Sequence, residues 1–216
     1  MTDPSGIGDA GAKSKDKGLS GRDDTDLMTL IATYGDPKAF EVLLKRHQRA
    51  VLNICFGFMR DHNLAEDMTQ EVFLRVYRGA ASYKPVAKFT TWLYRITANL
   101  CLNELKKNSI RRTRSLTEPT GPDPESTRLI EKIAASDEIP LTQAERHELR
   151  AILDKAIAAL PAEQAATLIL VENRHLPYEE VARIMNVTVS AIKMRIKRAR
   201  TSLREALKIL DNKGSI

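Results

Sequence analysis

Apolar residues in this chain recur three and four positions apart, as in Leu43, Leu44, Val51 and Ile54 and then Val72 and Val76, while the alternation of a half-buried strand is missing. A chain patterned this way buries itself by packing helices on helices, so the expected fold class is all-α. Its 216 residues are enough for one ordinary domain or two small ones. Breaks fall at Gly35-Asp36-Pro37, at Arg60-Asp61-His62-Asn63 and between Gly79 and Lys88, which predicts about four helices within residues 24–112. Residues 113–140 obey another rule. They hold four of the nine prolines (Pro119, Pro122, Pro124, Pro140) with Thr, Gly and Ser between them, the composition of a flexible linker. Helical periodicity resumes over residues 141–211, punctuated by Leu160-Pro161 and His175-Leu176-Pro177. Residues 1–23 lack periodic apolar positions and are expected to form a disordered tail. The expectation is two small helical domains on either side of a flexible linker.

Lys and Arg number 34 against 28 Asp and Glu, a surplus of +6 that is too mild to identify an anionic partner. Its distribution says more. Between Asn186 and Lys208 seven bases (Lys193, Arg195, Lys197, Arg198, Arg200, Arg204, Lys208) face one acid, Glu205, so this stretch alone equals the whole surplus. A second basic run, Lys106, Lys107, Arg111, Arg112 and Arg114, is followed by residues 115–140, with six acids and two bases. Basic, acidic, basic is the pattern of two contacts on one polyanion with a connector held off it by repulsion.

Several classes are excluded. A hydrophobic fraction of 43% with 29% charged residues does not describe a wholly disordered chain. No apolar run reaches the ~18–20 residues that cross a bilayer, and Met1 to Ser20 carries no apolar signal core, so a cytoplasmic protein without membrane insertion is expected. Cys55 and Cys101 lie 46 positions apart in apolar surroundings, as buried reduced thiols do. The four histidines (His47, His62, His147, His175) are scattered, and no nucleophile–base set, phosphate-cradling Gly loop or metal-ligand spacing is found. No catalytic residue, metal or cofactor is therefore expected.

Residues 178–200 read as a short helix, a tight turn and a longer helix. Ala182 is small where two helices must approach, Asn186 tolerates a left-handed turn, and Thr188 or Ser190 is placed to cap the next helix. In that helix Val189, Ile192, Ile196, Ala199 and Leu203 form one apolar stripe. Packing the stripe inward leaves Ser190, Ala191, Lys193, Met194, Lys197, Arg198 and Arg200 pointing outward, on a helix of the size that enters the major groove. Early residues would meet base edges; Arg200 and Arg204, farther along, are placed for phosphates.

Ten of the eleven aromatics lie between Tyr34 and Tyr94, and the densest group, Tyr83, Phe89, Trp92 and Tyr94, alternates with Lys84, Lys88 and Arg95. Rings stack on unpaired bases while cations follow the backbone, a combination suited to single strands. At helical spacing the same rings also suit a core, and the loop from Ala81 to Lys88 and the polar Asn99 are the stronger candidates. Upstream, Asp67, Gln70, Glu71 and Leu74 share one helical face while Met68, Val72 and Val76 occupy another. An acidic, amide-bearing face suits a protein helix better than DNA.

These residues together resemble the extracytoplasmic-function (group four) sigma factors of bacterial RNA polymerase, in the sigma-70 family. Asp67-Met-Thr-Gln-Glu-Val-Phe is similar to the family's polymerase-docking helix, the run from Lys88 to Asn99 to its promoter-melting segment in region 2, and Leu176 to Leu203 to its minus-thirty-five reader in region 4. The resemblance spans about Asp26 to Leu210. It implies a transcription initiation factor in which Asp67, Gln70, Glu71 and Phe73 engage the clamp helices of the RNA polymerase core. Tyr83, Lys84, Lys88, Trp92, Arg95 and Asn99 would take the unpaired minus-ten strand. Ser190, Ala191, Lys193, Met194, Lys197, Arg198 and Arg200 would read the minus-thirty-five duplex. An anti-sigma factor is an implied partner besides polymerase and promoter DNA. The chain departs from the family pattern in Val189-Ser-Ala where Val-Gly-Thr is usual, in Met194 where a small polar residue is common, and in a melting loop, Lys84-Pro-Val-Ala-Lys, without an acid. A helix-turn-helix response regulator or repressor would share the C-terminal motif but has no use for the block from Tyr83 to Asn99.

Overall fold

The computed structural model describes residues 18–112, 152–174 and 176–211. The linker at 113–140, the start of the second module at 141–151 and the tail up to residue 17 lie outside the described residues. All regular structure within them is helical.

Four helices build the first module, and local chemistry sets their ends. Helix α1 spans Asp24–Tyr34; Asp23 caps it by accepting from the Asp26 amide at 2.7 Å, and Gly35 ends it at φ 62°, a left-handed conformation that costs glycine nothing. Helix α2, Pro37–Met59, starts with Asp36 accepting from the amides of Lys38 and Ala39, with proline at the first turn, where its missing N–H is harmless. Arg60 closes it at φ 55°. Helix α3, His62–Gly79, is capped by Asp61 through the Leu64 amide at 2.9 Å. A single 3₁₀ turn, Ala80–Ser82, and a loop lead into α4, Phe89–Arg112. The three breaks and the count of four helices expected from the sequence are those observed. Leu43, Val51, Ile54, Val72, Val76 and Leu93 are fully buried between these helices, each contributing roughly 1.5–3 kcal/mol relative to exposure.

The tail reading extended to residue 23, but residues 18–20 form a helical turn. Leu19 packs on the core and the Ser20 carbonyl accepts from Arg46, which also pairs with Asp24 at 2.8 Å. One apolar residue and one ion-pair network suffice to hold it, and neither has a periodic signature.

After a helical stretch at 152–158, the second module continues as α5 (Ala162–Arg174), α6 (Tyr178–Met185) and α7 (Val189–Asp211). The modules touch. Helix α4 packs on α5 and α6, and α2 packs on α5, so buried residues of both halves form one continuous cluster. Arg60 Nη1 reaches Asp154 at 2.6 Å across this junction. Spacing within a helix defines an apolar stripe but not which helix covers it, so the sequence alone did not reveal the junction.

Candidate nucleic-acid interface

The α6–turn–α7 unit is built as its residues dictate. Ala182 is buried at the crossing, and Asn186 takes φ 53° and ψ 50° with the Val187 amide bonded back to the Ala182 carbonyl. Thr188 caps α7 by accepting from the Ala191 amide at 3.2 Å. Ile192, Ile196, Ala199 and Leu203 are buried. Ser190, Lys193, Met194, Lys197, Arg198 and Arg200 are exposed and Ala191 is half-buried beside them. All seven residues expected to read duplex DNA therefore lie away from the stripe, Met194 being 52% exposed. Arg200 is not idle: its guanidinium holds Glu172 of α5 at 2.9 Å, and Arg195, absent from the expected set, holds Glu163 at 2.6 Å. These pairs tie α7 to α5 and leave Lys193, Lys197 and Arg198 as the outward cations of the helix's first half.

In the first module the structure divides the aromatics. Phe89 and Tyr94 are core residues, 2% and 3% exposed. Tyr83 and Trp92 are half-buried at the edge, their ring centroids 5.1 Å apart, and both lean on Phe89 at 6.1 and 6.0 Å. The Trp92 ring passes over Gly79, where an added Cβ would already be in contact at 3.6 Å. Lys84, Lys88, Arg95 and Asn99 are exposed, as is the loop tip at Val86. Trp92, Arg95 and Asn99 fall at helical spacing on α4, with Tyr83, Lys84 and Lys88 in the loop before it, a combination that suits a ribbon of unpaired bases. No residue pattern marks what lies against this surface. Arg95 Nη2 donates to the Arg183 carbonyl at 2.7 Å, and the buried Thr91 hydroxyl donates to the Glu180 carboxylate at 3.4 Å. Helix α6 thus rests on part of the face that the first module would offer to DNA.

On α3, Asp67 and Gln70 are exposed and Glu71 is partly exposed, paired with Arg75 at 2.7 Å. Phe73 does not join them: it is 4% exposed, edge-on to Phe40 at 6.4 Å, and supports the helix from within. Leu74 and Tyr77, at 49% and 44% exposure, supply the apolar part of that face instead. Helical spacing was the available signal, since Leu74 falls seven positions after Asp67.

Comparison with known proteins agrees with this layout. Residues 43–111 match the family model for sigma-70 region 2, and residues 150–203 match that for sigma-70 region 4. The RNA polymerase sigma-H factor of Pseudomonas aeruginosa is 31% identical over 179 residues, covering 82% of this chain and 90% of that protein. The ECF RNA polymerase sigma-E factor of Escherichia coli K12 is 32% identical over 170 residues, covering 78% and 86%. Among solved structures, the sigma factor RpoE of Bartonella quintana, determined with the anti-sigma factor NepR, superposes with a TM-score of 0.58 at 22% identity, over 80% of this chain and 98% of that one. At that identity the likeness is one of fold.

Proposed function

The chain belongs to the extracytoplasmic-function sigma factors of the sigma-70 family, initiation factors that direct RNA polymerase core to promoters, and from that premise we propose how its surfaces divide the task. Residues 24–112 act as region 2 and residues 141–211 as region 4. Asp67, Gln70 and Glu71, with Leu74 and Tyr77 beside them, dock on the polymerase clamp helices. Tyr83, Lys84, Lys88, Trp92, Arg95 and Asn99 hold the unpaired minus-ten strand. Ser190, Ala191, Lys193, Met194, Lys197 and Arg198 enter the minus-thirty-five major groove while Arg200 steadies a phosphate. The observation that carries this reading is the pairing, in one chain, of an outward basic face on α7 with a ring-and-cation edge on α4.

Opening the duplex then requires no reaction by this protein and no cofactor. Stacking on bases, at ~1–3 kcal/mol each, exists only once they have left the helix and so offsets the cost of unstacking them. The two elements lie about 25 base pairs apart by their names, on the order of 80 Å of straight duplex. A compact unit of this size is roughly 40 Å across, so modules held together by Arg95–Arg183 and Arg60–Asp154 part when the promoter is engaged. Among the described residues no helix is long and apolar enough to cross a membrane, and the factor works where polymerase and promoter are, in the cytoplasm. By analogy with RpoE, solved with NepR, an anti-sigma factor is its proposed regulator. A repressor or response regulator has no role for the α3 and α4 surfaces. Run-off transcription by core polymerase on a genomic fragment library tests the reading: specific transcripts that depend on this protein are expected, and unchanged, indiscriminate initiation would refute it.

A further inference from the structure

The chain's only two cysteines, 46 positions apart, meet in the core of the first module. Cys55 on α2 and Cys101 on α4 are both fully buried, with their sulfurs 3.8 Å apart and the Cys101 thiol donating to the Cys55 sulfur. The pair is asymmetric. That hydrogen bond, with a smaller contribution from the Thr69 side chain, holds Cys55 below the ordinary thiol range against the opposing effect of burial. Donating the bond, together with burial, pushes Cys101 up. Thr69 is itself partly exposed, so solvent lies one side chain away from Cys55.

We propose that Cys55 and Cys101 form a reversible dithiol–disulfide site, closed by a peroxide-class oxidant and reopened by thiol reductants, and that closing it displaces α4. In the first step the Cys55 thiolate attacks one peroxide oxygen. The O–O bond breaks, hydroxide leaves, and Cys55 becomes a sulfenic acid. In the second, the Cys101 sulfur displaces that hydroxyl. An S–S bond forms, the S–O bond breaks, and the Cys101 proton departs in the water released. Two thiols and one hydrogen peroxide give one disulfide and two waters, the dithiol losing the two electrons that peroxide gains. The sulfurs must close from 3.8 Å to about 2.05 Å. A close-packed interior does not absorb such a movement at one residue, so the helices shift. Trp92, the chain's single tryptophan, sits on the same helix nine positions before Cys101, roughly 13.5 Å along its axis, where it can report the shift.

The test uses the full chain without polymerase or DNA, so its outcome is independent of the promoter-reading proposal. Reduced protein is treated with hydrogen peroxide, quenched, alkylated under denaturing conditions and weighed. Both thiols should disappear together, with a mass lower by two hydrogens, in a monomer whose Trp92 emission has shifted, and dithiothreitol should reverse every change. Cys101→Ser, whose hydroxyl keeps a donor toward the Cys55 sulfur, is checked for wild-type helicity and should stop at a sulfenic acid on Cys55 that dimedone captures, with no shift in emission. Thiols that remain alkylatable, or a disulfide joining two chains, would overturn the site. An internal disulfide that leaves Trp92 emission unchanged would overturn the movement of α4. If Cys101→Ser lacks wild-type helicity, Cys101→Ala serves in its place, with the same sulfenic acid formed more slowly because Cys55 has lost its donor.

Discussion

The two modules expose cations to the same class of partner but build their surfaces differently. In α7, packing and the proposed recognition fall to separate side chains: Ile192, Ile196, Ala199 and Leu203 are buried, while Lys193, Lys197 and Arg198 are exposed. In α4 and its preceding loop the same rings do both. Trp92 and Tyr83 brace Phe89 and also form the edge we propose meets the unpaired strand. A surface separate from its core can change letters without unfolding, whereas a shared one ties specificity to stability.

That contrast breaks or sharpens under substitution. The largest effect is expected from Lys193→Ala with Arg198→Ala. If each side chain contributes ~1–3 kcal/mol of base or phosphate contact, upstream duplex affinity falls by about one and a half to four orders of magnitude in a binding titration. The melting temperature should barely move, as for surface changes within about ±0.5 kcal/mol. Ile192→Ala, one position away, should do the reverse, costing about 3 kcal/mol of folding stability in denaturant titration for a fully buried side chain. Next comes Trp92→Ala, for which the shared surface predicts two losses of similar size: about 2 kcal/mol of stability, and a stacking loss of ~1–3 kcal/mol read as permanganate reactivity of promoter thymines. A loss confined to one readout would dissolve the contrast. The smallest effect is expected from Glu71→Lys: breaking its exposed pair with Arg75 costs under about 0.5 kcal/mol, while polymerase co-purification falls several-fold. Undiminished retention would remove Glu71 from the docking face.

The same contrast decided what could be read in advance. Asn186, Thr188 and the stripe from Ile192 to Leu203 were legible because a tight turn and a 3.6-residue period leave local marks in the sequence. The division of the aromatics was not, because Phe89 in the core and Trp92 at its rim share one helical spacing. Phe73 matched the docking motif but faces Phe40, and only the packing of α2 on α3 shows it. Contacts between modules were the least legible. Arg95 meets a backbone carbonyl 88 positions away, and a carbonyl has no residue type to betray it.

In the proposed complex one chain holds upstream duplex with α7 and unpaired minus-ten bases with α4, after the modules have parted. Polymerase core, this protein and a responsive promoter should be footprinted with a nuclease and permanganate in the same complex. Upstream protection together with reactive minus-ten thymines, without added nucleotide, is the predicted result, with Lys193→Ala/Arg198→Ala removing the first and Trp92→Ala the second. Thymines that stay unreactive beneath a full upstream footprint would contradict it.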